Sequence, residues 1–161
     1  MEYIRSLDDD AAEPGGCFLC RYLAQPEADA LNHVVWREPD VFVVMNRFPY
    51  TNGHLLIAPA RHVGEPADMT EAEMTALGRA TYRGVALLKK ALQPQGFNIG
   101  ANLGRCAGAG LPEHIHHHVV ARWAGDTNYM AVLGGIRVIP DALNATYALL
   151  VHAAREMGLR D

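Results

Sequence analysis

The segment HIHHHVV, His114–Val120, places four histidines within five positions and then runs into two valines. An extended strand sends alternate side chains to opposite faces, so His114, His116 and His118 would share one face with Val120, and Ile115, His117 and Val119 the other. Neighbouring members of the trio then lie roughly 7 Å apart, twice the strand rise, which is close enough to serve one site. Three readings fit such a trio. As plain packing it is costly, because every buried imidazole needs its own partners. As a metal site, imidazoles at i and i+2 would chelate an ion whose third ligand comes from elsewhere, leaving a position open. As a nucleophilic site, a neutral imidazole whose second nitrogen donates to a fixed acceptor could attack phosphorus and form a phosphoramidate. The preceding loop NLGRCAGAGLPE, Asn102–Glu113, favours the last reading, since Gly104, Gly108 and Gly110 let backbone N–H groups crowd a phosphate.

A chain of 161 residues suits one domain with a real core. Its net charge of -4 and pI near 6.0 give no general pull toward nucleic acid, so an anionic ligand must be held locally. Residues 1–16 are acidic, carry Pro14 and a glycine pair, and read as a loose arm ahead of a single folded domain, 17–161. That arm lacks the apolar run of a signal peptide, and no later window reaches the ~18 apolar residues of a membrane span. Three cysteines do not suit a secreted disulfide framework, so a cytoplasmic protein with no membrane partner is expected.

HVVWRE and VFVVMN, parted by Glu38, Pro39 and Asp40, predict a hairpin, and HLLIAP a third strand after the turn PYTNG. From Thr70 a helix is predicted, with apolar spacing at Met74, Leu77, Ala80, Tyr82, Val85, Leu88 and Leu92. Thr70 and Glu73 match a capping box, and Lys89 and Lys90 suit the negative end of the helix dipole. FNIGAN then predicts a fourth strand, the histidine segment a fifth, and Pro140 to about Leu159 a closing helix. Strands in hairpins around a long helix predict an α+β fold with an antiparallel sheet.

HIHHHVV resembles the HxHxHxx signature of the histidine triad family, nucleotide hydrolases and transferases acting at an α-phosphate. NRFPYTNGHLLIAPARH, Asn46–His62, resembles the family's strand, turn and GHxLxxP segment, and the likeness runs from Cys17 to about Asp126. RWAGDTNYM is more similar to the branch of fragile histidine triad proteins and bacterial diadenosine tetraphosphate phosphorylases than to the small nucleotide-binding branch. The resemblance implies a five-stranded antiparallel sheet with one long central helix and a C-terminal helix, no organic cofactor, and a homodimer paired through the long helix and a sheet edge. It makes His116 the nucleophile, gives a nucleotidyl-histidine intermediate, and sets His118 and His54 beside the phosphate. Asn102 falls on a position that contacts the phosphate chain or leaving group, although it could equally be an ordinary strand-ending residue. Backbone around Gly110 and Leu111 would complete the phosphate site.

Asn46 falls where the family holds the ribose hydroxyls, a task that suits an amide able to donate and accept. Phe18, Leu19, Tyr22, Val44 and Leu56 fall near positions lining the base pocket, and for each a plain core role remains open. Leu111 departs from the Ser or Thr that many members carry there to assist the leaving group. That disfavours nucleoside phosphoramidates relative to dinucleoside polyphosphates, whose leaving group departs as a stabilised anion. A nucleotide-binding or sensing module with little turnover is the alternative. Cys17 and Cys20 form a lone CxxC, which alone signals redox chemistry or mere packing. The resemblance adds His62 and His114 to them as a closed structural zinc site. His33 is a spare candidate ligand, Cys106 has no assigned role, and His117 is expected to be structural or to face solvent.

Overall fold

The computed structural model describes residues 16–126 and 143–161. Residues 1–15 of the expected arm, Thr127–Met130 of RWAGDTNYM, and the expected helix start at Pro140 lie outside the described residues. Helix α1 (Phe18–Ala24) and the short α2 (Asp29–Asn32) lead into β1 (Val34–Arg37), β2 (Val41–Met45) and β3 (Leu55–Pro59). Helix α3 (Glu71–Leu92), β4 (Gly96–Ala101), β5 (His117–Arg122) and α4 (Leu143–Glu156) follow. The strands form one sheet in the order β1-β2-β3-β5-β4, and every neighbouring pair is antiparallel. This is the α+β architecture expected from the sequence.

Strand parity separates two cores. Val41, Val43, Met45, Leu55, Ile57, Val119 and Ala121 pack toward α3 and α4, whereas Phe42, Val44, Leu56 and Ala58 pack toward Leu19 and Tyr22 of α1. Both faces of the central strands are thus covered, which is why VFVVM and LLIAP read as unbroken apolar runs rather than alternating ones. The capping box at Thr70 and Glu73 is formed, and Arg61 clamps the Glu73 carboxylate through Nε and Nη2 at 2.7 and 2.8 Å. The buried stripe of α3 differs from the expected one. It runs through Leu77, Ala80, Thr81, Gly84, Leu87 and Leu88, while Met74 and Tyr82 are 50% and 72% exposed. Gly84 lies directly on the sheet, where a Cβ would be in van der Waals contact with Leu55 Cδ1 at 3.4 Å.

The two sheet edges are treated differently. Tyr147 Oη and Arg160 Nη1 donate to the carbonyl of Val34 at 2.9 and 2.6 Å, and Arg160 also reaches that of Val35. At the other edge, Asn98–Ala101 of β4 are exposed. The histidine strand is also shorter than expected, beginning at His117 instead of His114. Its pairing with β4 ends at Ala101↔His117 and with β3 at Ile57↔His117, so residues upstream have no ladder to join. The N–H of Ile115 instead donates to Val63 O at 2.7 Å.

Candidate active site and metal centre

The β2–β3 connection carries His54 and determines its tautomer. Asn46 accepts from the Phe48 N–H through Oδ1 (3.0 Å) and donates from Nδ2 to His54 Nδ1 (3.2 Å). The Tyr50 N–H also donates to His54 Nδ1, at 3.2 Å. A nitrogen receiving two N–H groups must carry the lone pair, so the His54 proton sits on Nε2. Nε2 is 2.9 Å from His118 Nδ1, which therefore accepts, and the His118 proton is left on Nε2. That atom is buried without a hydrogen-bond partner among the described residues. A donor in such a state is costly unless a ligand satisfies it.

His116 has the complementary tautomer. Its Nδ1 lies 2.9 Å from the carbonyl of His114, which can only accept, so Nδ1 holds the proton and Nε2 the lone pair. The rings of His116 and His118 are 5.0 Å apart and those of His54 and His118 5.1 Å. Burial pushes the His116 pKa below its ordinary value against the opposing pull of the His114 carbonyl. Burial, then the neighbouring His116 and His117, push His118 down to about 4. Both are neutral near pH 7, which sets a ring-nitrogen lone pair beside a neutral N–H donor. His117 points to the opposite face, 2.9 Å from Thr81 Oγ1 on α3, and that hydroxyl donates onward to Leu77 O. His117 is structural, one of the two roles expected for it.

His116 and His118 line a cleft whose walls include Phe18, Tyr22, Asn46, Leu56, Gly110 and Leu111. Leu19 and Val44, expected near the base pocket, are instead fully buried in the α1 core: Val44 shares a sheet face with its strand partner Leu56, which reaches the cleft, but is itself covered by the α1 cluster. Phe48 and Tyr50 were missed, having been read only as parts of a turn, yet both line the cleft. The Tyr50 ring lies 4.6 Å from that of His54 and stacks at 6.0 Å on His118. Tyr50 and His118 also border a second, more open groove with Asn102 and the β4 residues Asn98–Ala101. Asn102 Nδ2 donates to Gly108 O at 3.3 Å, bracing the glycine-rich loop.

His114, the first of the trio, turns away from this cleft. Its Nε2 donates to Pro59 O (2.9 Å), which leaves the lone pair on Nδ1, 3.2 Å from Cys17 Sγ and 3.5 Å from Cys20 Sγ. His62 Nδ1 is 3.2 Å from Cys20 Sγ. Cys17, Cys20, His62 and His114 offer four donor atoms within 4.8 Å of one another, and this is the one such cluster among the described residues. Two sulfurs, two imidazoles and a ring fixed by a backbone carbonyl on its far nitrogen form a donor set that fits tetrahedral zinc. Burial holds the Cys17 thiol up at about 11 and His114 down at about 4, so a cation is what would favour the thiolate. His33 is not part of the set: its Nε2 bonds Asn144 Oδ1 at 2.9 Å.

Comparison with known proteins agrees with this geometry. A family model described as HIT domain matches residues 27–125. An AP-4-A phosphorylase from Mycobacterium tuberculosis is 44% identical over 117 residues, 73% of this chain and 60% of the relative, so the chain spans only part of that protein's length. The nitrilase and fragile histidine triad fusion protein NitFhit of Caenorhabditis elegans is 31% identical over 124 residues, covering 77% of this chain and 27% of the fusion. Among solved structures, a Zn-bound histidine triad family protein from Mycobacterium smegmatis superposes with a TM-score of 0.69 at 25% identity, covering 86% of this chain and 95% of that one. The family model spans more than half of the sequence and contains its cleft histidines: the chain belongs to the histidine triad (HIT) family.

Proposed function

We propose that the protein cleaves nucleotides at the α-phosphate through a nucleotidyl-His116 intermediate, with diadenosine polyphosphates as substrates. The observation that carries this reading is the opposed tautomer pair: a lone pair on His116 Nε2 beside an unpartnered N–H on His118 Nε2. The lone pair attacks the α-phosphorus, and the bond to the bridging oxygen breaks to release the remaining polyphosphate as an anion. His118 Nε2–H donates to a non-bridging oxygen on which charge grows, and needs no reorganisation because His54, Asn46 and the Tyr50 N–H already fix it. Water or orthophosphate then attacks the phosphoramidate and regenerates His116. Phe18, Tyr22, Phe48 and Leu56 suit a purine base, and Asn46 retains a second amide hydrogen and lone pair for a ribose hydroxyl.

Leu111 at the cleft supports a polyphosphate over an amine as leaving group, since it supplies no side-chain donor. Zinc, when bound at the Cys/His cluster, supplies a structural cross-link between α1, the segment after β3 and the triad. Exposed Met74 and Tyr82 on α3 and the bare edge of β4 support a homodimer. No helix of the described residues is long and apolar enough to cross a membrane, and a cytoplasmic location is part of the same proposal. Incubation with diadenosine tetraphosphate, with and without orthophosphate, tests the reading. ATP with AMP indicates water as acceptor, ADP in the presence of phosphate indicates phosphorolysis, and no turnover leaves the protein a binding module.

A further inference from the structure

The carbonyl that fixes the His116 tautomer belongs to His114, and this peptide lies outside the sheet. The pairing of β5 with both of its neighbours stops at His117, although β3 itself runs on to Pro59, so no ladder hydrogen bond holds the segment carrying His114 O. Its nearest backbone ties are the Ile115 N–H to Val63 O at 2.7 Å and a long His114 N–H to Leu111 O at 3.4 Å. The ring of His114 is far better held, by Pro59 O on one nitrogen and by the two cysteine sulfurs around the other. The segment bearing His62 presses on the same place: a Cβ on Gly64 would lie 2.9 Å from Pro112 O and 3.1 Å from Glu113 Cα. Resting on the reading of His116 as nucleophile, we propose that His114 is a positioning residue, and that metal loading of the Cys17, Cys20, His62 and His114 cluster locks the carbonyl orienting that nucleophile.

The cluster is then a regulatory element and not only a staple. With four donors engaged, α1, residues 62–64 and residues 112–116 move as one body, and the His116 Nδ1–H keeps a fixed acceptor. With the cluster empty, the His114 ring retains its bond to Pro59 O, and only weak thiol contacts, the nearer to Cys17 Sγ at 3.2 Å, stand in for metal ligation on its other nitrogen. The carbonyl can swing, and His116 can place its proton on either nitrogen. Only the Nδ1–H form has its lone pair on Nε2, so productive geometry is populated less often. His117 supplies an internal control, because its ring is tied to Thr81 on the opposite face of the sheet.

The test is a long-range proton–nitrogen NMR comparison of the full ¹⁵N-labelled chain at one fixed pH near 7.5, loaded with Zn²⁺, stripped with a chelator, and as Cys20→Ala and His62→Ala. Loaded wild type should show His116 in the Nδ1–H form alone. Stripped protein and both variants should show both tautomers, with measurably faster exchange of the His116 ring proton than in the loaded wild type. His117 should not change. Identical His116 tautomer and exchange in loaded and stripped samples that remain folded by their amide spectra would overturn the proposal. If stripping unfolds wild type, the same comparison is made between loaded wild type and His62→Ala, which removes an exposed donor and leaves three, and identity there overturns it equally. Single-turnover labelling with diadenosine tetraphosphate separates the two claims: coupling predicts slower adduct formation in Cys20→Ala at unchanged nucleotide affinity. No adduct in loaded wild type, together with a metal-dependent tautomer, would sink the enzymatic reading and leave the coupling standing.

Discussion

Replacing His118 by Phe removes one N–H while keeping a flat ring between His54, Tyr50 and His116, and two separable effects follow. The first is on rate. A preorganised donor aimed at developing negative charge contributes about 10²–10³ in kcat, about 2.7–4 kcal/mol, and in the proposed mechanism the unpartnered His118 Nε2–H is such a donor. Because burial and its histidine neighbours hold the His118 pKa at about 4, the donor is neutral at pH 7 and the loss should be flat from pH 6 to 8. The interaction forms mainly as charge develops, so KM should change little. The second effect is on stability. His54 Nε2–H loses its acceptor in a fully buried site, at about 1–3 kcal/mol. For a chain of this size that is about 2–4 °C of Tm per kcal/mol. His54→Phe should lower kcat as well, since it acts through His118, and the double variant should be no slower than His118→Phe alone. Steady-state kinetics with diadenosine tetraphosphate, read beside thermal melts, supply both numbers. A folded His118→Phe variant with kcat within tenfold of wild type, or full additivity in the double variant, would refute the relay.

Three further outcomes follow from the structure. Glu73 is held down to about 2 by Arg61 first and the Thr70 N–H next, below its ordinary 4.5, so the stability it confers is present above about pH 4.5 and lost as pH falls through about 2. The Tm gap between wild type and Glu73→Gln should therefore be constant near pH 6 and close toward pH 2. Gly64→Ala puts a Cβ 2.9 Å from the Pro112 carbonyl oxygen, and should destabilise by about 1–3 kcal/mol in a denaturant titration, as overpacking against backbone does. Leu111→Ser restores a hydroxyl beside the cleft, and should raise kcat/KM for an adenosine phosphoramidate relative to diadenosine tetraphosphate when the two are assayed in parallel.

What could be read from the chain was what local chemistry dictates. The capping box at Thr70 and Glu73 and the parity that sends His117 away from His116 depend on residue type and spacing, whereas His62 and His114 join Cys17 and Cys20 in the sequence only through the family resemblance. The misreadings arose where long-range contacts decide. Met74 and Tyr82 satisfy a helical apolar spacing, but the face laid on the sheet carries Ala76 and Gly84 beside the expected Leu77, Ala80 and Leu88. His114 satisfies strand alternation, but no strand extends far enough to pair with it, and the thiols of α1 claim its ring. Leu19 and Val44 could not be told from cleft residues, because wall and core are both apolar. Tyr50 sat in a turn whose composition was read for backbone geometry alone, which concealed both its ring on His118 and its N–H on His54. α1 was missed altogether: seven residues give no periodicity to read, and its N-cap is the sulfur of Cys17.

The central claim is that His116 forms the covalent bond to the nucleotide. Wild type and His116→Ala, each mixed with diadenosine tetraphosphate and quenched rapidly without acid, should be digested and weighed by mass spectrometry. The claim predicts an added nucleotidyl mass on the wild-type peptide containing His116, and in His116→Ala no adduct and no turnover but measurable nucleotide binding. Turnover near the wild-type rate in His116→Ala, or an adduct that survives on another histidine of that peptide, would contradict it.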